Sequence, residues 1–175
     1  MRLRPRAEVI VFKEMKVLAD ITGSWVVFPG GGIDLHETPI QAAQRECQEE
    51  AGRRVINLTP AHKDSVQLWP KGFMKLRNSK ESKDIVGGYS HWFTGSSSEE
   101  PVNQKHKDYQ AGFDYHPIQT VIDRLKHETS GDWSDDVASR VSILQAHLRA
   151  HLPRKTASVS ILPPVQLPYP SLRAR

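Results

Sequence analysis

The sequence predicts an α/β fold in which a mixed β-sheet is sandwiched between helices. Three observations carry that expectation. Short runs rich in Val, Ile, Phe and Trp recur between Gly, Pro and polar clusters, the mark of strands. One stretch among them, from Thr38 to Gly52, carries helix start and stop signals at its two ends. Nearer the C-terminus, two segments repeat apolar residues at helical spacing. With 175 residues and 38% hydrophobic composition, the chain is long enough for one sizeable core and short for two.

Residues 7–12 (Ala-Glu-Val-Ile-Val-Phe) and 17–21 are apolar runs across Lys13-Glu14-Met15-Lys16, which suggests a hairpin. Residues 25–28 read as a strand entering the Gly30-Gly31-Gly32 loop. After the helix, residues 54–58 return as a strand, and 65–69 and 73–76 flank Pro70-Lys71-Gly72. Polar residues 77–83 form a loop, 85–94 a strand in spite of Gly87 and Gly88, and 95–101 (Gly-Ser-Ser-Ser-Glu-Glu-Pro) a connection of small residues. Helices over 118–127 and 137–152 then close the body. Ile118, Val121, Ile122 and Leu125 share a face of the first, and Val137, Val141, Leu144 and Leu148 a face of the second, which starts near Ser134 or Asp135.

From Pro153 onward the composition changes. Arg154, Lys155, Arg173 and Arg175 meet no acid there, so the tail alone accounts for the formal net charge of +4, and it holds five of the twelve prolines. Such a stretch can be neither helix nor central strand. The expected organisation is a body over 1–152 and an extended basic tail over 153–175.

The helix is where the chemistry concentrates. Thr38 is a good N-cap, Pro39 suits the first helical position, Gln41 completes a Thr-x-x-Gln capping box, and Gly52 can end the helix in the left-handed region. At about 100° per residue, Ile40, Ala43, Cys47 and Ala51 share a packing face, while Glu46, Glu49 and Glu50 share a neighbouring one. Carboxylates so spaced repel, and hard Mg²⁺ or Mn²⁺ is the natural compensator. Taken alone, a Glu-x-x-Glu-Glu face is more often solvated surface.

The surroundings decide between these readings. Gly31, Glu37, Arg45-Glu46, Glu49-Glu50 and Gly52 stand at the spacings of the Nudix box, G-x5-E-x7-R-E-U-x-E-E-x-G-U with U bulky and apolar, so the chain resembles the Nudix hydrolase family from Gly31 to Arg53. Every glycine, arginine and glutamate of the pattern is present; Cys47 is small at the first U and Arg53 is charged at the last. The resemblance implies a Nudix-like α/β/α sandwich over most of residues 1–150 and Mg²⁺-dependent hydrolysis of a nucleoside diphosphate linked to another group. It implies Glu46, Glu49, Glu50 and the Gly30 carbonyl as metal ligands, Arg45 as the residue that orients the glutamates, and Glu37 as the tie between loop and helix. The general base of such enzymes is a box glutamate, here Glu49, or an acid from a later loop. Glu99 and Glu100 lie in a segment composed like a closing loop, although polar turns of that kind are more often plain surface; Asp84 and Asp108 are further candidates.

Trp25, Trp69, Phe73, Tyr89, Trp92 and Phe93 are candidates to stack a base, though strand aromatics are mostly core. Trp69 and Phe73 with Lys71, from the basic stretch that also holds Lys75 and Arg77, form the candidate substrate-binding set. His147 and His151 sit on the terminal helix with no carboxylate close in sequence and are not expected to bind metal.

No apolar run approaches the roughly 20 residues that span a bilayer, and the Arg-rich start does not resemble a signal segment. A soluble, cytoplasmic monomer or homodimer with no membrane partner is expected. The one cysteine, Cys47, excludes an intrachain disulfide and belongs to the packing face, so an inert buried thiol is expected. Three functions remain: a pyrophosphohydrolase for nucleotide-type small molecules; an RNA 5′-end or cap pyrophosphohydrolase, whose affinity the basic tail would raise; and a catalytically silent module binding nucleotides or protein. The last would normally lack a glutamate, and none is missing.

Overall fold

Alternation along one central strand separates the protein into two cores. In β1 (Arg2–Lys13), Ala7, Val9 and Val11 lie on one face and Ile10 and Phe12 on the other, all buried. This computed structural model describes residues 2–61, 64–69, 84–97, 105–128 and 134–151. The further elements are β2 (Lys16–Asp20), β3 (Gly30–Gly32), α1 (Pro39–Glu50), β4 (Val55–Pro60), β5 (Ser65–Leu68), β6 (Ile85–Ser97), β7 (Phe113–Pro117), α2 (Ile118–His127) and α3 (Ser134–His151). The described strands form one seven-stranded mixed sheet in the order β4-β6-β1-β2-β7, with β3 beside β1 and β5 beside β6. β1 and β6 run parallel, from Leu3 opposite Gly87 to Phe12 opposite Ser96; the other pairs are antiparallel.

Helix α1 covers one face. Ala42, Ala43, Cys47 and Ala51 pack on Ala7, Val9, Val11, Leu18 and Phe93, small residues that let the helix backbone approach the sheet closely. Burial pushes the Cys47 thiol up to about 12, which leaves it protonated and unreactive. Helices α2 and α3 cover the other face: Ile118, Val121, Ile122, Leu125, Val137, Ile143 and Leu144 meet Ile10, Phe12, Phe28 and Trp92. There the buried Trp92 indole N–H donates to Ser65 Oγ at 2.8 Å, and Ser65 donates on to Asp136 at 2.6 Å, so α3 is held to the sheet by polar contacts as well.

Both ends of α1 are built as the sequence spells them. The Thr38–Gln41 capping box is closed in both directions, and Gly52 takes φ 65°. Arg53, at the box's last position, is nonetheless buried, with its guanidinium 5.0 Å over the Tyr115 ring. Three strand expectations change, the first being that β6 runs on through Gly95, Ser96 and Ser97, expected as the start of a connection. Residues 25–28 form no strand, only an isolated bridge between Val27 and Asp20. The strand there is β3, made of the glycines themselves, and β1 begins five residues earlier than its apolar run because Arg2–Arg6 are paired on β6. The expected strand at 73–76, the loop at 77–83, the acids of the 95–101 connection and the tail at 153–175 lie outside the described residues. Among the described residues, no helix is long and apolar enough to cross a membrane.

Candidate active site

The site is assembled where β3 passes between β1 and α1. Gly30 lies opposite Glu8 of β1 and Gly31 opposite Ala7. A Cβ on Gly30 would fall 2.0 Å from Glu8 Oε2, and one on Gly31 2.2 Å from Glu46 Oε1, so only glycines let two carboxylates close on the strand from its two sides. Glu50 completes the group by accepting the Gly30 N–H at 3.0 Å.

Arg45 joins the parts. Its guanidinium grips Glu37 through two parallel bonds of 2.9 and 3.0 Å, reaches the Gly32 carbonyl at 2.9 Å, and donates to Glu46 at 2.9 Å and Glu49 at 3.2 Å. A planar fork can serve loop, strand and helix at once where an ammonium cannot. The grip holds the Glu37 carboxyl below its usual range.

The opposite trend appears around the glycines. Burial raises Glu46, Glu8 and Glu50, the last to about 7; Glu46 and Glu8 add repulsion to Glu50, against the pull of the Gly30 N–H. Besides Arg45 on Glu46, a second positive charge faces them: Arg6 pairs with Glu8 at 2.7 Å and donates to the Gly30 carbonyl at 3.4 Å. A set of hard oxygen donors whose charged state is disfavoured by burial and mutual repulsion has the chemistry a divalent cation relieves, so the residues present fit one.

Residues 105–112, just ahead of β7, dock on the same helix end. Gln110 donates its main-chain N–H to the Glu50 carbonyl at 2.7 Å and its side-chain amide to Glu50 Oε1 at 3.2 Å. His106 Nε2 stands 3.6 Å from Glu49 Oε1, and Asp108 Oδ2 lies 3.7 Å from His106 Nδ1. Of the loop acids named from sequence, Asp108 is therefore brought to the glutamates. Asp84 is not: it adjoins Arg2, six residues or about 20 Å along β1 from Glu8. Glu99, Glu100, Lys71 and Phe73 lie outside the described residues.

Among the aromatics, Trp92 and Phe93 are buried in the two cores. Trp69 is half-buried and donates its indole N–H to Gln67; a Cβ on Gly88 would meet both its ring, at 3.5 Å, and Arg6, at 2.6 Å. It stands on the Arg6 side of the sheet. His147 is stacked between Phe12 and His151 at 3.7 and 4.0 Å and points Nε2 at the Glu14 carbonyl, a packing role. A cleft of about 580 Å³ beside that stack includes none of the box glutamates.

Sequence reasoning missed Arg6, Glu8, His106 and Gln110. Glu8 left one signal, a lone acid inside the apolar run 7–12. The two loop residues left none, because their relation to Glu49 and Glu50 exists only in three dimensions.

The family model for the NUDIX domain matches residues 2–137. Similar curated proteins include an RNA pyrophosphohydrolase of Bartonella bacilliformis, 32% identical over 55% of this chain and 57% of that one. An RNA pyrophosphohydrolase of Helicobacter pylori is 31% identical over 65% of this chain and 52% of that one. The chain thus spans about half the length of the curated relatives it matches. Among solved structures, a NUDIX hydrolase from Nitrosomonas europaea shares the fold with a TM-score of 0.55, at 15% identity over 83% of this chain and 90% of that one. Box, sheet order and family match agree, and the chain belongs to the Nudix family.

Proposed function

We propose that this chain is a Mg²⁺-dependent pyrophosphohydrolase cleaving a phosphoric anhydride bond in a nucleotide-type substrate, a nucleoside diphosphate that carries a further group. The observation that supports this most is the convergence of Glu46 and Glu50 on Gly30 and Gly31, with Glu49 beside them on the Arg45 fork. Glu46, Glu49, Glu50 and the Gly30 carbonyl would hold the ion, an all-oxygen set suited to a hard cation. When bound, such an ion neutralises phosphate charge and polarises water.

The chain's own groups do the positioning. Arg45 fixes the carboxylates of Glu46 and Glu49 and ties them to the Gly32 carbonyl, while Glu37 immobilises Arg45 from the loop side. Arg6 steadies the Gly30 carbonyl and neutralises Glu8. Glu49 and Asp108 are the described carboxylates suited to take the proton of the attacking water; Glu99 and Glu100 stay candidates on their sequence. Trp69, beside Arg6, suits a stacking wall for a base, to which Phe73 and Lys71 would add.

A second reading, RNA with a 5′ polyphosphate or cap as substrate, is favoured by the names of the curated relatives and by the basic composition of 153–175. The test is a panel of nucleoside triphosphates, ADP-ribose, dinucleoside polyphosphates, nucleotide sugars and 5′-triphosphate or capped RNA with Mg²⁺, products identified by mass. Cleavage at an anhydride bond in any member supports the proposal, and the preferred member chooses between the readings. If every member stays intact with Mg²⁺ and with Mn²⁺, the chain is a binding module.

A further inference from the structure

We infer that the cleft beside the last two turns of α3 is a docking groove for the chain's own proline-rich segment, residues 161–170, which lies outside the described residues. Ile143, Ala146, His147 and His151, a single stripe of α3, line one side of this groove of about 580 Å³. Asn57, Pro60 and Ala61, from β4 and the residue after it, contribute to the lining, and Phe12 and Gly95 add to it from β1 and β6.

Two properties of the groove suit an extended proline-rich strand. Its rings are stacked: His147 stands face to face with Phe12 at 3.7 Å and with His151 at 4.0 Å, and aromatic-lined grooves are what polyproline II strands dock on. Its edge is irregular: β4 shifts register against β6 between Ile56 and Thr59, around Asn57 at φ 54°. A bulge of that kind disrupts the ladder and disfavours an added β-strand, whereas a polyproline II strand asks for no ladder.

The segment has the matching pattern. Residues 161–170 read Ile-Leu-Pro-Pro-Val-Gln-Leu-Pro-Tyr-Pro, with four prolines in ten positions, a composition preset for the polyproline II helix. At its period of three, Ile161, Pro164, Leu167 and Pro170 share one edge and Leu162, Val165 and Pro168 a second. Both edges are wholly apolar; Gln166 falls on the third.

Position makes the chain's own segment the occupant. His151 is at once the last residue of α3 and part of the groove lining, so the chain leaves the helix at the groove itself. From Ile143 to His151 the helix covers about 12 Å, which about four polyproline II residues match. Residues 152–160 supply up to about 30 Å of chain for the turn back. A segment tethered so closely meets the groove at about millimolar effective concentration, well above that of a second copy free in solution. Charge agrees with this placement: Glu14 is among the lining residues, and Arg154 and Lys155 lead into the segment.

A paramagnetic label on the full chain tests the docking. Cys47 is buried and inert, so Gln166→Cys, on the polar edge, takes the label alone. The amide magnetic resonance signals of Gly95, Ser96 and Ala146 should lose most of their intensity, while that of Leu3, nine residues or about 30 Å along β1 from Phe12, keeps its own. In a mixture of labelled chain with unlabelled, isotope-enriched chain the loss should be absent. Ala146→Glu places a charge at a half-buried groove position without altering helix propensity much, and it should restore the Gly95 signal, with circular dichroism checking the fold. Leu162→Asp with Leu167→Asp should restore it from the side of the segment. Undiminished signals at Gly95, Ser96 and Ala146 in the labelled chain, or a loss that survives both sets of substitutions, overturns the inference. A loss that persists in the mixture assigns the groove to a second copy and overturns it as well. None of the box glutamates lines this groove, so the reading of the metal site stands under any of these outcomes.

Discussion

Gly31 and Glu46 meet so closely that a methyl group on the glycine would stand 2.2 Å from the Glu46 carboxylate. Neither atom has room to yield freely, since Glu46 is held by Arg45 at 2.9 Å and Gly31 is paired with Ala7. Gly31→Ala is therefore expected to fold, to swing Glu46 off its position, and to weaken Mg²⁺ binding by about tenfold or more, the scale on which misplacing a supporting group acts. Titration calorimetry with Mg²⁺ measures this, and affinity within twofold of wild type would refute it.

Glu49→Gln and Glu50→Gln each remove one charge and keep the shape. Each should lose most turnover on the preferred substrate while the melting temperature stays level or rises, because repulsion among the buried carboxylates is relieved. Wild-type rates in both variants at limiting Mg²⁺ would remove the acidic face from the mechanism.

Arg45→Lys preserves the charge and loses the fork. A lysine cannot hold Glu37 bidentately while also reaching Gly32, Glu46 and Glu49, so stability should fall by about 1–3 kcal/mol and kcat with it. A double-mutant cycle with Glu37→Gln should return a coupling of about 1 kcal/mol or more; additive losses would show that the two residues act separately.

Proton linkage supplies a fourth test. Burial first, then Glu46 and Glu8, push Glu50 from 4.5 up to about 7 against the Gly30 N–H. The folded state thus binds this proton more tightly than the unfolded chain does. The resulting stability is complete below the unfolded value of about 4.5 and is lost as pH rises toward about 7. In the presence of a chelator, the difference in melting temperature between wild type and Glu50→Gln should shift against wild type across that window. Added Mg²⁺ should cancel the shift, with its affinity falling below about pH 7 as proton and metal compete. A difference independent of pH would contradict the linkage.

What the chain disclosed of itself follows the range of its interactions. The ends of α1 were legible because Thr38, Gln41 and Gly52 act on backbone within one turn, and α2 and α3 because a 3.6-residue period needs no partner to be visible. The glycine strand was not, since Gly30–Gly32 has no strand propensity and pairs only because β1 and α1 crowd it from both sides. Residues 25–28 show the converse: the apolar pattern of a strand is present, but Val26 and Phe28 are buried against α2 and α3 without a ladder. The box announced its carboxylates by spacing, whereas Arg6 and Glu8 came from a strand some 20 residues upstream and His106 and Gln110 from about 55 to 60 downstream. Arg53 was a mismatch in the pattern until Tyr115 gave its charge a ring to lie on.

The parallel pairing of β1 with β6 has a consequence for how the protein comes into being. Paired residues of the two strands stand more than 80 positions apart, so their alignment closes a long loop and belongs to the slow, non-local class of folding events. During synthesis, every box residue has left the ribosome long before β6 follows, yet β1 at that stage has no partner on one side and Glu50 still lacks Gln110. A nascent chain arrested just past Gly52 would hold the complete box and bind no cation tightly. Affinity should rise only in arrested chains long enough to expose residues through Gln110, which places the birth of the site late in translation rather than at the motif that names the family.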